Sequence, residues 1–591
     1  MQASELASPR VSQMLGELSH ITKDVMLDAF DTYFLYCHNK PYHVCEPNLF
    51  RRKLAQGQIP VYLQLALLAS AIRYSSHPHW KWQRQAAIDN NARYSWAMIM
   101  SSPEALTDVS AIQALALLTI VDAIAGRRRA AWVKIGIAIR VSQSIDMMIE
   151  PSADLPDAEK NEQRHIFWSL YMLDHFVCCS FQRPPAMKNS DCLLYLPADL
   201  QHQPTTPLTL NALLDVNNAH PVGNTTLGPG WFGISVGIVA VLGKAVRCMM
   251  SNSESENVSP WNAASEYSSI HASLDHFRNI AFSEESTMLN QLGGGPSVNY
   301  ERSAHVILSY VVYHLAHCIL DHPFLRAIKT LRSQQHSNNN VPPSSWVAKS
   351  LAFSLGHACS LTKLLVDAKA AGYVPIPSFY SYCMMVAGSI HALNFHSSSN
   401  HASSSEYLQN SMQYFINLAD IMHESPTLAD GLRMFANGCK GYSDLLLSCD
   451  KQDVGILSPS DTTILKSMVD YWVVMNPNNL ISSLQPLQLE SELPKNYDNT
   501  SNNKGLLEAM SETSPAFMHS QQYLPDSIDE HIFDSAEPEG LLGFEGAAGL
   551  PLNADDFSDF LRATPLASPS PGSGIGTGGG GSFFGDKNRV E

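Results

Sequence analysis

A helix-spaced apolar pattern, repeated segment after segment from about Ile21 to Leu480, limits this chain to few architectures. Apolar side chains that recur every three or four residues share one face of an α-helix. Val61–Ile72 (VYLQLALLASAI) is dense in Leu and Ala, and Ile112–Ala125 (IQALALLTIVDAIA) keeps the spacing throughout. Trp132–Met148 carries it through Trp132, Ile135, Ile139, Ile145 and Met148, and Ile166–Val177 repeats it. Further helices are predicted over Ala304–Ile319, Val347–Ala368, Phe379–Phe395, Tyr407–Met422 and Ile464–Val474, and the run Trp231–Leu242 reads as a single helix. Alternating runs bounded by hairpin turns are scarce, so almost no sheet is expected. Helices with one apolar stripe must bury it against one another, which predicts an all-α, multi-helix fold. The polar stretches Ser251–Pro260, Ser333–Ser345 and His396–Glu406 read as surface insertions between helices.

The pattern stops after about Pro486, where Pro, Ser, Asn, Gly and acidic residues take over. The expected organisation is a disordered N-terminus (1–20), a helical domain (21–484), and a disordered acidic tail rich in Gly, Ser and Pro (485–591). Ala567–Ser582 is low-complexity and reads as a linker. The net charge is -17, and the segment Gly505–Leu561 contains twelve Asp and Glu residues with no Lys or Arg. The remainder is close to neutral. This charge excludes a chain that holds nucleic acid mainly by its overall field, but leaves room for a small basic module.

The eleven cysteines include no C-x-x-C, so neither a zinc ribbon nor a redox dithiol is written here, and a reducing compartment is expected. Met1–Ser19 lacks the basic and apolar regions of a signal peptide. The longest apolar run, Trp231–Gly243, has thirteen residues, too few to span a bilayer. An intracellular protein with no membrane segment is therefore expected.

Short motifs add little chemistry. Gly233-Ile234-Ser235-Val236-Gly237 matches the nucleophile-elbow pattern, but it sits inside an apolar helix and no Asp–His arrangement points to Ser235. Its small residues, with Ala240, suit close helix packing instead, and a hydrolase built on Ser235 remains a distant alternative. Gly572–Gly581 and Gly293–Gly295 lack the ending of a phosphate loop and read as linker and turn. His77-Pro78-His79 and His43-Val44-Cys45 lack the fourfold spacing of structural zinc and read as loop or core residues. Arg127-Arg128-Arg129 and Arg51-Arg52-Lys53 read as solvated turns rather than import signals. No catalytic residue, metal ligand or cofactor is assigned.

The strongest local signal is Asn161–Pro197, NEQRHIFWSLYMLDHFVCCSFQRPPAMKNSDCLLYLP. Ile166, Phe167, Leu170, Leu173 and Val177 form an apolar stripe, with Arg164 and Asp174 placed to close ion pairs. Arg183-Pro184-Pro185 then forces the chain out of helix. The stretch resembles the middle homology region of fungal-specific transcription factors, through Arg164, Phe167-Trp168, Tyr171, Leu173-Asp174, Arg183-Pro184, Asp191 and Leu196-Pro197. Two positions depart from the pattern: His175 stands where the family has Arg, and Gln182 where it has Gly. Upstream, Ala131-Trp132, Gly136 and Ala138-Ile139-Arg140 resemble the preceding helix, and Asp28–Phe50 resembles the opening of the same domain.

The resemblance implies an all-α regulatory domain of a nuclear transcription regulator of RNA polymerase II genes, and no enzyme. It also implies a six-cysteine binuclear zinc cluster that reads DNA, yet the 36 residues before Cys37 hold no cysteine. Zinc is therefore expected only with an upstream cluster, and DNA would be reached directly or through a zinc-cluster partner. The alternative is a co-regulator or inhibitor that works through a full-length relative. In the tail, Asp555-Asp556-Phe557-Ser558-Asp559-Phe560-Leu561, with Phe544 upstream, alternates acids with large apolar residues. That is the composition of an amphipathic activation segment. It is assigned to 505–561, with co-activators or the transcription machinery as partners.

Overall fold

The computed structural model describes residues 21–102, 106–181, 183–197, 208–216, 230–250, 258–281, 300–326, 342–371, 378–397, 407, 410 and 469–474. The first half is built from α1 (Lys23–Tyr36), α2 (Pro47–Ala55), α3 (Val61–Ala71), α4 (Arg84–Ser101), α5 (Val109–Ile124), α6 (Arg128–Ser144) and α7 (Asp157–Val177). The second half adds α8 (Leu210–Leu214), α9 (Trp231–Met250), α10 (Glu266–Ala281), α11 (Tyr300–Leu320), α12 (Ser344–Ala370), α13 (Ser378–Ser397) and the short α14 (Tyr471–Val474). Among the described residues there is no strand, only an isolated bridge between Tyr195 and Thr209.

Local chemistry sets the helix ends. Glu46 precedes α2 and accepts a hydrogen bond from the Leu49 amide, and Pro47 needs no partner at the first turn. Asp108 caps α5 by accepting from Ser110 N at 3.2 Å. Between α5 and α6 the chain reverses through Gly126, whose φ of 71° is a left-handed value that suits glycine. Arg127 N then donates back to Asp122 O at 2.8 Å, and Gly126 N to Ala123 O at 3.1 Å. These bonds satisfy two of the last carbonyls of α5.

The apolar faces meet in a continuous core. α5 is buried almost all round, and α9, α11 and α13 form the centre of the second half. The helix over Trp231–Leu242 is present but longer than its apolar run, continuing to Met250. Trp231–Met250 and Ala304–Arg326 are long and apolar enough to cross a membrane by length and composition. Yet 83% and 100% of their apolar windows are buried inside the fold, which marks them as core helices. Small residues serve packing, as the pattern around Ser235 suggested. A Cβ at Gly237 would stand 2.6 Å from the Phe277 ring and 2.8 Å from Leu213.

Several expected boundaries shift. The helix predicted over Trp132–Met148 stops at Ser144, because Asp146 adopts a left-handed φ of 56° and turns the chain. The insertion expected over Ser333–Ser345 already contains the start of α12 at Ser344, directly after Pro343. The helix Tyr407–Met422, most of Ile464–Val474, the glycine runs, Gln182, the N-terminus 1–20 and the tail with 505–561 lie outside the described residues, apart from the isolated positions 407 and 410.

Candidate functional site

The signature residues lie together where α7 meets the irregular segment 183–197 that follows it. α7 begins with Asp157 and Glu159 in its first turn, which suits the positive end of the helix dipole. Its second half buries every residue from Ile166 to Val177. From that buried face the signature side chains hold the returning backbone. The fully buried Trp168 donates its indole N–H to Tyr195 O at 2.9 Å. Tyr171 donates its hydroxyl to Asn189 Oδ1 at 2.7 Å.

Asp174 was expected to close an ion pair, and the structure corrects this. The carboxylate is buried, and its Oδ2 accepts from Ala186 N at 2.8 Å and Met187 N at 2.9 Å. Burial pushes its pKa up to about 6, against the opposing effect of those two amides and the Cys178 thiol. Arg164 does form an ion pair, with Glu150, whose Oε1 also accepts from Tyr195 N at 2.7 Å. Four side chains of one helix region thus fasten one loop. Asp191 lies exposed in a short 3₁₀ turn (Asn189–Asp191) and accepts from Ser190 Oγ, and Pro184 is also exposed.

Arg183 packs its guanidinium between two indoles, 5.2 Å from the Trp132 ring centroid and 5.0 Å from that of Trp472. Trp472 comes from a segment far along the chain. It donates its indole N–H to Val177 O at 2.6 Å, and Tyr471 N donates to Cys179 O at 2.8 Å. Asp470 Oδ2 accepts from Phe181 N at 3.2 Å. Residues 469–474 therefore satisfy the carbonyls left open at the end of α7, a role that sequence spacing does not reveal. His175, the departure from the family pattern, is buried with its Nδ1 3.0 Å from Tyr171 O. Burial lowers its pKa to about 4. An arginine would need a partner for its charge in this place, which a neutral imidazole does not.

The remaining motifs are placed as follows. Ser235 is fully buried, with its Oγ within hydrogen-bond distance of Trp231 O, His305 O and Ser309 Oγ. No substrate can approach it there. His43 packs between His38 and His165 at ring distances of 4.6 and 4.3 Å, in a buried group that burial keeps neutral. His77 Nδ1 accepts from His79 N within its own turn. Arg127 is more than a solvated turn, since it bonds both Asp122 and Asp89. Arg51 pairs with Asp31 on the surface. The described cysteines are dispersed and mostly buried, and burial pushes thiols such as Cys37 and Cys192 up to about 12. They do not fit a zinc–thiolate cluster, which needs ionised thiols brought together. An open apolar groove of about 570 Å³ runs beside α6, lined by Trp132, Val133, Gly136, Ile137 and Arg140 among others.

Residues 30–268 match the family described as the fungal specific transcription factor domain. The Zn(2)-C6 fungal-type transcription factor FTF1c of Fusarium oxysporum f. sp. lycopersici is 20% identical over 404 residues, 63% of this chain and 41% of the relative. The uncharacterized transcriptional regulatory protein C530.11c of Schizosaccharomyces pombe is 24% identical over 286 residues, 42% of this chain and 33% of the relative. Another from that organism, C1327.01c, is 22% identical over 274 residues, 42% of this chain and 28% of the relative. The chain thus spans well under half the length of these curated relatives. Residues 30–268, which include the signature residues Arg164–Pro197, are thus similar to the fungal specific transcription factor domain.

Proposed function

We propose that this chain regulates transcription of RNA polymerase II genes in the nucleus and performs no catalysis of its own. The observation that carries this reading is the domain match over 30–268. The names of the relatives, a transcription factor and transcriptional regulatory proteins, support it. In this reading the helical domain (21–484) is the regulatory part, and 505–561 recruits co-activators or the transcription machinery. The twelve acids of that segment speed encounter with basic partner surfaces. Phe544, Phe557, Phe560 and Leu561 then bury in an apolar groove of the partner. DNA is reached directly or through a zinc-cluster partner.

Fusing Gly505–Leu561 to an unrelated DNA-binding domain tests the tail. The fusion should activate a reporter, and replacing Phe557, Phe560 and Leu561 by Ala should lower the output at equal protein level. Equal output from the two fusions refutes the assignment of those side chains, and no activation from either refutes the segment.

A further inference from the structure

Beyond the matched residues, two helices bring two imidazoles and a carboxylate to one point. His317 and Asp321 are one turn apart at the end of α11, where Asp321 N still donates to His317 O at 2.9 Å. His271 reaches them from α10. Asp321 is fully buried, and its Oδ1 accepts from Tyr267 Oη and from Ser350 Oγ at 2.9 Å. Its Oδ2 has no hydrogen-bond partner. That oxygen instead faces His271 Nε2 at 3.4 Å and His317 Nδ1 at 3.9 Å. His317 is 3% exposed, and neither of its ring nitrogens has a hydrogen-bond partner. The three candidate donor atoms lie within 4.8 Å of one another.

We propose that His271, His317 and Asp321 form a binding site for one divalent transition metal ion of the zinc type, with a water as fourth ligand. Asp321 Oδ2 and the His317 ring nitrogens are buried without a hydrogen-bond partner, which is costly unless something else binds them. At 3.4 and 3.9 Å the two ring nitrogens stand beyond the usual range of about 2.7–3.2 Å for an N–H···O bond to that oxygen, whereas a metal ion placed between the three atoms binds all of them through lone pairs. Bonds of about 2.0–2.1 Å in a tetrahedron hold ligand atoms about 3.3 Å apart. The 3.4 Å separation matches this, the 3.9 Å one is about 0.6 Å longer, and with all three atoms within 4.8 Å a bound ion would draw the two imidazoles closer together. Two imidazoles and one carboxylate are a set that suits zinc, and hard cations such as calcium prefer an all-oxygen set.

The surroundings fit the same reading. Tyr267 and Ser350 orient the carboxylate through Oδ1, as outer partners of a metal ligand do. The His317 ring stacks on His357 at 3.9 Å and 3°, and His357 Nδ1 lies 2.8 Å from His314 Nδ1. The ring is therefore fixed. The His271 side chain is 22% exposed, which gives the ion and its water a path from solvent. Spacing along the sequence did not reveal the set, because His271 comes from a separate helix.

The test uses the untagged full chain, stripped with a chelator and titrated with Co²⁺. One equivalent should bind with the visible absorption of four- or five-coordinate cobalt, and Zn²⁺ should displace it. His271→Gln lies at the solvent edge and should weaken binding by about 100-fold or more, beyond the loss caused by an outer partner alone. His317→Gln should do the same, and circular dichroism checks that each variant is folded. X-ray absorption of the zinc-loaded wild-type chain supplies a readout that needs no variant. It should give nitrogen and oxygen ligands at about 2.0–2.1 Å. No cobalt spectrum, equal affinity in a folded His271→Gln variant, or sulfur ligands in the absorption data would overturn the proposal.

Discussion

Removing the Asp174 carboxylate separates two roles that this side chain plays at once. Its Oδ2 accepts two backbone amides and so holds the returning segment, while its charge sits in a buried place. Asp174→Asn keeps a carbonyl oxygen where Oδ2 stands but carries no charge. Asp174→Ala removes the acceptor altogether. The Met187 amide is then left buried without a partner, and the Ala186 amide is left in a more exposed position. The alanine variant should fall below the asparagine variant by about 2–4 kcal/mol at any pH, given about 1–3 kcal/mol for each unmade bond.

The charge adds a pH-dependent difference between wild type and Asp174→Asn. The native carboxyl titrates near 6, whereas the unfolded one titrates near its ordinary 3.8. Between those values the native state holds a proton that the unfolded state has lost, so this contribution to stability falls as pH rises. It is fully present below pH 3.8 and lost above about 6. A shift of about two pKa units corresponds to about 3 kcal/mol. The raw curve also contains the buried histidines His38, His165 and His305, which burial lowers to about 3 or 4. Their contribution has the opposite sign, present above pH 6.5 and lost on acidification. The informative quantity is therefore the Asp174→Asn minus wild-type difference from urea midpoints. It should rise from near zero at pH 4 to about 2–3 kcal/mol in favour of the variant at pH 7. A flat difference, or equal stability of the Ala and Asn variants, would refute the reasoning.

Two further substitutions probe the packing around this clasp. Gly243→Ala places a Cβ 2.6 Å from His175 Cδ2 in a filled interior, and should cost about 1–3 kcal/mol in chemical denaturation. Adding His175→Ala should restore part of that loss, and additive losses would contradict the contact. Trp472→Ala empties a buried site and frees Val177 O, for an expected cost of about 3–5 kcal/mol. Trp472→Phe should recover most of it while lacking the indole donor, so equal losses in the two variants would contradict the packing role of the ring.

The fold class was legible because helix-spaced apolar residues leave little choice of partner for each segment. The signature was legible as a set of residue types, but what each does was not. Arg164 and Asp174 read alike as ion-pair formers, and only the geometry separates them: Arg164 meets Glu150, and Asp174 meets two amides. The role of Trp472 was hidden because its partners, Val177 and Arg183, lie far away in sequence. Local spacing puts His317 and Asp321 one turn apart but cannot add His271, whose approach depends on how α10 packs near the end of α11. Ser235 lies in an apolar helix with hydrogen-bond partners of its own, and His43 lies in the segment between α1 and α2, packed among other histidine rings, so neither departs from its packing reading.

Chromatin occupancy in the living cell tests the regulatory reading most directly. An epitope-tagged full chain should crosslink to the promoters of a defined set of RNA polymerase II genes. Deleting its gene should change transcripts from those same promoters, and the Phe557, Phe560 and Leu561 to Ala variant should reproduce the loss of activation while still occupying them. A nuclear-excluded chain, or transcripts that stay unchanged at every occupied promoter, would contradict the account.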